Sequence, residues 1–147
     1  PYRASTEALA RDLGLEGRVV FRDPVAPSEL RRLLAVSSVA AGIFGTSEKA
    51  SEVVANKVWQ SLSAGVPTVT RASPALEPIA GVAGTTLVPV DDLTPQRLAD
   101  VLQQSRRTRG ELLNGQVSIG DALEIYVAER YEILASTLLG YVRRSDP

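Results

Sequence analysis

The feature that most constrains the fold is an alternation through the middle of the chain. Short runs rich in β-branched residues, "VAAGIF" (Val39 to Phe44), "PTVT" (Pro67 to Thr70) and "TTLVPV" (Thr85 to Val90), are separated by segments whose apolar residues recur at helical spacing. An earlier run, "RVVF" (Arg18 to Phe21), follows a helical segment from Thr6 to Leu13 in which Ala8, Leu9 and Leu13 form a stripe that Gly14 ends. Strands this short between helices of a few turns predict a parallel sheet covered by helices, the doubly wound α/β class. Ligands in that class bind beyond the carboxyl ends of the strands, and the polar loop from Gly45 to Ser51 stands at such an end.

Local signals set the boundaries. Turns are expected at Asp23-Pro24 and Pro27, and Ser28 is expected to cap "ELRRLLAV", with Leu30, Leu33 and Leu34 as its apolar stripe. Ser73-Pro74 and Thr94-Pro95 each pair an N-cap residue with proline at the first helical position, starting a short helix and the helix "QRLADVLQQS". Residues from about Ile119 to Arg144 read as one long amphipathic helix, or two, with Leu123, Tyr126, Val127, Tyr131, Leu134 and Leu138 on the apolar side.

Composition narrows the chemistry. At 147 residues, 44% hydrophobic and 22% charged, the chain is long enough for one core, so a single domain over 1–147 is expected. The net charge of −1 supplies no basic field for nucleic acid. With no Cys and no His, disulfides, thiolate or imidazole metal sites and Ser–His or Cys–His pairs are excluded within the chain. No apolar run is long enough for a transmembrane segment and no leader pattern is seen, so a cytoplasmic location is expected. Pro1 in place of an initiator methionine points to a partial or processed chain.

The richest stretch is "SEVVANKVWQSLSAGVPTVT", residues 51 to 70. A helix from about Glu52 to Ala64 would turn Val54, Val58, Ser61 and Leu62 inward and set Glu52, Asn56 and Gln60 in one polar row about 12 Å long. Lys49 and Lys57, the two lysines, flank the start of that helix, where free N–H groups already favour an anion such as a diphosphate. Periodicity alone leaves two readings open: a solvated stripe, or a ligand-binding row.

Taken in order, "LGLEGRVVF", "SVAAGIF", the stretch above, "ASPALEPI", "TTLVPVDD" and "LADVL" resemble the carboxyl-terminal half of retaining glycosyltransferases of the two-Rossmann-domain (GT-B) type. That large family includes sucrose synthases, phosphatidylinositol mannosyltransferases and many polysaccharide and antibiotic transferases. The resemblance covers Pro1 to about Ser105 and, more loosely, the final helix. It implies a Rossmann-like parallel sheet with flanking helices that holds a nucleotide sugar, without a metal or other cofactor. The family's Glu-x7-Glu pattern falls on Glu52 and Gln60. Glu52 would meet sugar hydroxyls, the backbone of Val53, Val54 and Ala55 would contact sugar and diphosphate, and Gln60 would accept from the ribose. Asn56-Lys57 matches a subset of the family, with Lys57 as a diphosphate contact, and Arg18 matches an arginine often found before its strand.

The chain departs from the pattern in two ways. Gln60 offers a neutral acceptor where the family has a carboxylate, about half as strong a partner. Val53-Val54-Ala55 also replaces the usual Gly-Phe-Gly. Glu77 falls on another family glutamate, yet at a helix start it reads as dipole stabilisation, and Asp91-Asp92 reads as a turn rather than a metal pair.

Two strands that open this half of the family's fold are absent, as is the amino-terminal acceptor domain, so this chain alone is expected to be inactive. In the family's sheet order the missing strands would lie between "RVVF" and "VAAGIF", which leaves "RVVF" without a partner and offers an open edge for a dimer. The alternatives are a nucleotide-sugar epimerase, a relative of trehalose-phosphate synthase, or a non-catalytic binding or assembly domain.

Overall fold

The computed structural model describes residues 2–112 and 119–144, with side chains described for 2–107 and 119–137. The side chain of Leu138 lies outside that range. The chain divides into two compact units, Pro1–Arg31 and Arg32–Pro147.

In the first unit, α1 (Tyr2–Asp12) begins four residues before Thr6, whose Oγ1 donates to the Tyr2 carbonyl at 2.9 Å. The Arg3 guanidinium bonds Glu7 at 2.8 Å and also Asp23, and these two partners, Glu7 first, hold its pKa above the usual value. The expected strand at Arg18–Phe21 does not form. Of its residues only Val19 enters a bridge, an isolated parallel one with Glu16 just before the run, and Val20 is 72% exposed. A strand persists only where neighbours take its N–H and C=O groups, and the bridge supplies one such pairing. The stripe on α1 also stays open, with Leu9 and Leu13 exposed. Helix α2 (Pro27–Val36), whose residues fall on both sides of the division, starts at Pro27; Ser28 is therefore inside the first turn rather than the cap, because proline's fixed φ and missing N–H suit the first position.

The second unit is α/β, built on a three-stranded parallel sheet in the order β1 (Ala40–Ala41), β2 (Thr68–Arg71), β3 (Leu87–Val90). Ala40 and Ala41 lie opposite Thr68 and Val69, while Thr68 to Arg71 lie opposite Leu87 to Val90. The crossover from β1 to β2 carries α3 (Glu48–Glu52) and α4 (Asn56–Ser63), and that from β2 to β3 carries a 3₁₀ turn (Pro74–Leu76) and α5 (Glu77–Ala83). Helices α6 (Pro95–Leu112) and α7 (Ile119–Arg144) complete the unit, so the carboxyl-terminal segment is one helix rather than two.

Period-two alternation sends side chains to two apolar clusters. Leu87 joins Val58, Leu62, Ile79 and Leu123 beneath α4, α5 and α7, while Val69 and Val90 join Val101 of α6, with Phe44 and Leu98 packed beside them. Leu62 and Ile79 are 0% and 2% exposed, each worth about 1.5–3 kcal/mol in transfer free energy. Of the residues expected to face inward, Val58, Ser61 and Leu62 on α4 are buried, and Val54, just before α4, is half-buried.

Two glycines fix the geometry around α4. Beyond β1 the N–H of Gly42 still donates to the Val69 carbonyl at 2.8 Å, and a Cβ on Gly42 would stand 2.5 Å from Cβ of Thr70 and 3.1 Å from Val58. At the other end Gly65 adopts φ 64°, and the N–H groups of Gly65 and Val66 return to the carbonyls of Leu62 and Ser61, both at 2.9 Å, a Schellman termination. This motif turns the chain straight from helix into the strand β2.

Candidate functional site

The polar row expected on one continuous helix is broken. Ser47 accepts from the Ala50 N–H at 3.3 Å and starts α3, which ends at Glu52; Val53 (φ −127°, ψ 143°) and Ala55 (φ −66°, ψ 148°) are extended, and α4 begins only at Asn56. Glu52 therefore closes one helix, whereas Asn56 and Gln60 share a side of the next. The cause is legible in chemistry: Val53 and Val54 are β-branched and lose rotamer freedom in a helix. Val54 packs partly buried on the core cluster beneath α4, while Val53 is 45% exposed.

The break creates a backbone arrangement that one long helix would not have. The first N–H groups of α4 have no intrahelical acceptor, and Ala55 provides no side-chain cap. The positive end of a short helix, equivalent to about half a charge at most, thus faces the extended segment Val53–Ala55. Glu52, Asn56, Lys57 and Gln60 are all exposed around it. Because α3 follows β1 and α4 leads back to β2, this corner lies at the carboxyl ends of the strands.

Two residues that the sequence reading did not single out meet there. Arg71, the last residue of β2, donates from Nη2 to Ser51 Oγ at 2.8 Å, which ties α3 to the sheet. Its Nε is buried without an acceptor among the described residues. Ser51 Oγ itself donates to the Ser47 carbonyl at 3.4 Å. Arg71 ends a strand of apolar and hydroxyl side chains, and a cation in such a place is the signal that could have marked it.

A cavity of about 410 Å³ lies at the ends of β2 and β3, lined by Ala72, Ser73, Glu77, Pro89 and Asp91 among others. Glu77 is the first residue of α5, the position expected for a dipole-stabilising carboxylate. Asp92 closes a turn, its Oδ1 accepting from the Thr94 N–H at 2.9 Å; that bond, then the Thr94 hydroxyl, holds its pKa below the usual carboxylate value. Among the described residues no group of three or more Asp or Glu side chains could hold a metal ion. Likewise no helix is long and apolar enough to cross a membrane among them. Arg18 belongs to the first unit, where its side chain is exposed and its N–H donates to the Leu15 carbonyl at 3.0 Å.

What the fold defines is an α/β unit on a parallel sheet with a polar corner at its strand ends. No family model, curated protein or solved structure matches the chain.

Proposed function

We propose that the second unit is the nucleotide-sugar-binding part of a retaining, metal-independent glycosyltransferase, which moves a sugar from a nucleoside diphosphate carrier to an acceptor. One observation carries the reading: the exposed carboxylate of Glu52 is followed at once by the extended segment Val53–Ala55 and the start of α4, at the carboxyl ends of a parallel sheet. A carboxylate suits sugar hydroxyls, free backbone N–H groups and a helix start suit a diphosphate, and Gln60 one turn beyond Asn56 suits a ribose hydroxyl. Lys57 adds a cation beside the same helix start.

On this reading the sheet is part of a Rossmann-like carboxyl-terminal half of a GT-B fold. The acceptor is held by a separate domain, and the enzyme works in the cytoplasm. Among the described residues β2 is the only strand neighbour of β1, and the other edge of β1 is the surface through which two copies would pair. Light scattering over a dilution series checks that point, since a persistent monomer removes it.

Calorimetry with UDP, GDP and their sugar conjugates tests the donor reading. Binding tighter than about millimolar that falls at least about tenfold in Glu52→Ala is expected, from the loss of a charge-assisted hydrogen bond. Absence of binding by both nucleotides and all conjugates would sink it. Arg18→Gln in the same assay decides whether Arg18 contributes.

A further inference from the structure

We propose that Arg71, beside Ser51, is the anion-receiving residue of this corner and takes a phosphoryl group of a diphosphate ligand. The identity of the ligand rests on the nucleotide-sugar reading; the anion site itself does not. Arg71 is held by its backbone, donating its N–H to the Ile43 carbonyl at 2.8 Å and lying opposite Val90 in β3. Its side chain is half-buried, so a permanent charge sits partly out of water. Among the described residues no carboxylate pairs with it.

The bonding of its guanidinium is incomplete in a specific way. Arginine carries five N–H donors in a planar fork and does not deprotonate. Nη2 has one neutral acceptor, Ser51 Oγ, and Nε has none. Buried polar atoms are nearly always satisfied, so a buried Nε without an acceptor, on a half-buried guanidinium, calls for a partner. The Nε and Nη2 edge is the one that grips a carboxylate or phosphate with two parallel bonds. A phosphoryl group that replaces Ser51 as the acceptor would take Nη2 directly, and a rotation of the guanidinium that uncovers the buried Nε would bring the second nitrogen to the same group.

Chain continuity favours a diphosphate over a lone carboxylate. Ser51 is followed directly by Glu52 and the extended Val53–Ala55, and then by the start of α4, a second place that favours negative charge. On this proposal one phosphoryl group lies at Arg71 and its neighbour toward the start of α4. The competing role is structural, with Arg71 serving only to tie α3 to β2.

The 147-residue chain is titrated by calorimetry with inorganic pyrophosphate, then with UDP and GDP, at fixed ionic strength, alongside Arg71→Gln, Arg71→Lys and Ser51→Ala. Pyrophosphate binding is expected to fall about tenfold or more in Arg71→Gln and by an intermediate amount in Arg71→Lys, and to change by less than about threefold in Ser51→Ala. Unchanged affinity in Arg71→Gln, no pyrophosphate binding by the parent chain, or equal losses of affinity and thermal stability in Arg71→Gln and Ser51→Ala would each overturn the proposal. If Arg71→Gln does not fold, Arg71→Lys decides, because it keeps stem and charge but loses the fork; affinity equal to the parent's overturns the site. Pyrophosphate binding through Arg71, with UDP and GDP bound no more tightly, supports the anion site and rejects the donor reading. Nucleotide-sugar binding that depends on Glu52 but not on Arg71 does the reverse.

Discussion

The hydroxyl of Thr70 bonds both polar groups of Ile43, accepting from its N–H at 3.0 Å and donating to its carbonyl at 3.1 Å. Backbone bonding to β2 continues past Ala41, from the Gly42 N–H to the Val69 carbonyl and from the Arg71 N–H to the Ile43 carbonyl, and the Thr70 hydroxyl supplies the acceptor for the Ile43 N–H. The regular strand ends at Ala41, although the β-branched and apolar run extends to Phe44, and the Arg71 bond to Ile43 is one residue out of the β1–β2 register.

Thr70→Val keeps the shape of the 3% exposed side chain and removes both bonds, leaving the Ile43 N–H short of its partner. A loss of about 1–3 kcal/mol is expected. Thr70→Ser, which keeps the hydroxyl, is expected to lose less. Urea unfolding compares the two, and equal losses would show that packing rather than the hydroxyl matters.

Gly42→Ala would place a methyl carbon within 2.6 Å of Thr70 Oγ1 and 3.1 Å of Val58, in a layer with no room to give. Overpacking of this kind costs about 1–3 kcal/mol. Gly65→Ala meets no neighbour within 4 Å and is strained only by its φ of 64°. That cost is about 1–2 kcal/mol. Thermal unfolding of the single and double variants checks both, and additivity within about 0.5 kcal/mol is expected if the two mechanisms are independent.

Gln60→Glu tests the weakest feature of the proposed donor site. Gln60 is exposed on α4, so the substitution leaves the core untouched. A carboxylate accepting from a ribose hydroxyl is about twice as strong a partner as an amide, so UDP or GDP affinity should rise several-fold. Unchanged affinity, measured by calorimetry, would remove Gln60 from the site.

Asp92 carries the clearest pH dependence. Its pKa is depressed in the folded chain, first by the Thr94 N–H and then by the Thr94 hydroxyl. A depressed carboxyl pKa contributes stability that is present above the unfolded value of about 3.9 and is lost as pH falls through the lower folded value. Carboxyl NMR should therefore show Asp92 titrating below the ordinary aspartates. Asp92→Asn should flatten the fall in stability below about pH 4.

The sequence by itself determined the parallel α/β class, the strands around Thr68–Arg71 and Leu87–Val90, the proline-marked helix starts at Pro74 and Pro95, and the burial of Val58, Ser61 and Leu62. These follow from period, turn chemistry and capping, which are local and act within a few residues. Tertiary structure decided the rest. Arg18–Phe21 has the composition of a strand but forms none, because a strand requires partners that composition does not encode. The row Glu52, Asn56, Gln60 satisfied helical spacing, yet the chain breaks at Val53–Ala55, where the β-branched pair and the packing of Val54 on the core outweigh the continuity of the pattern. Arg71 and Ser51, twenty residues apart, meet only because parallel pairing brings the end of β2 beneath α3, a long-range contact that no local rule reads.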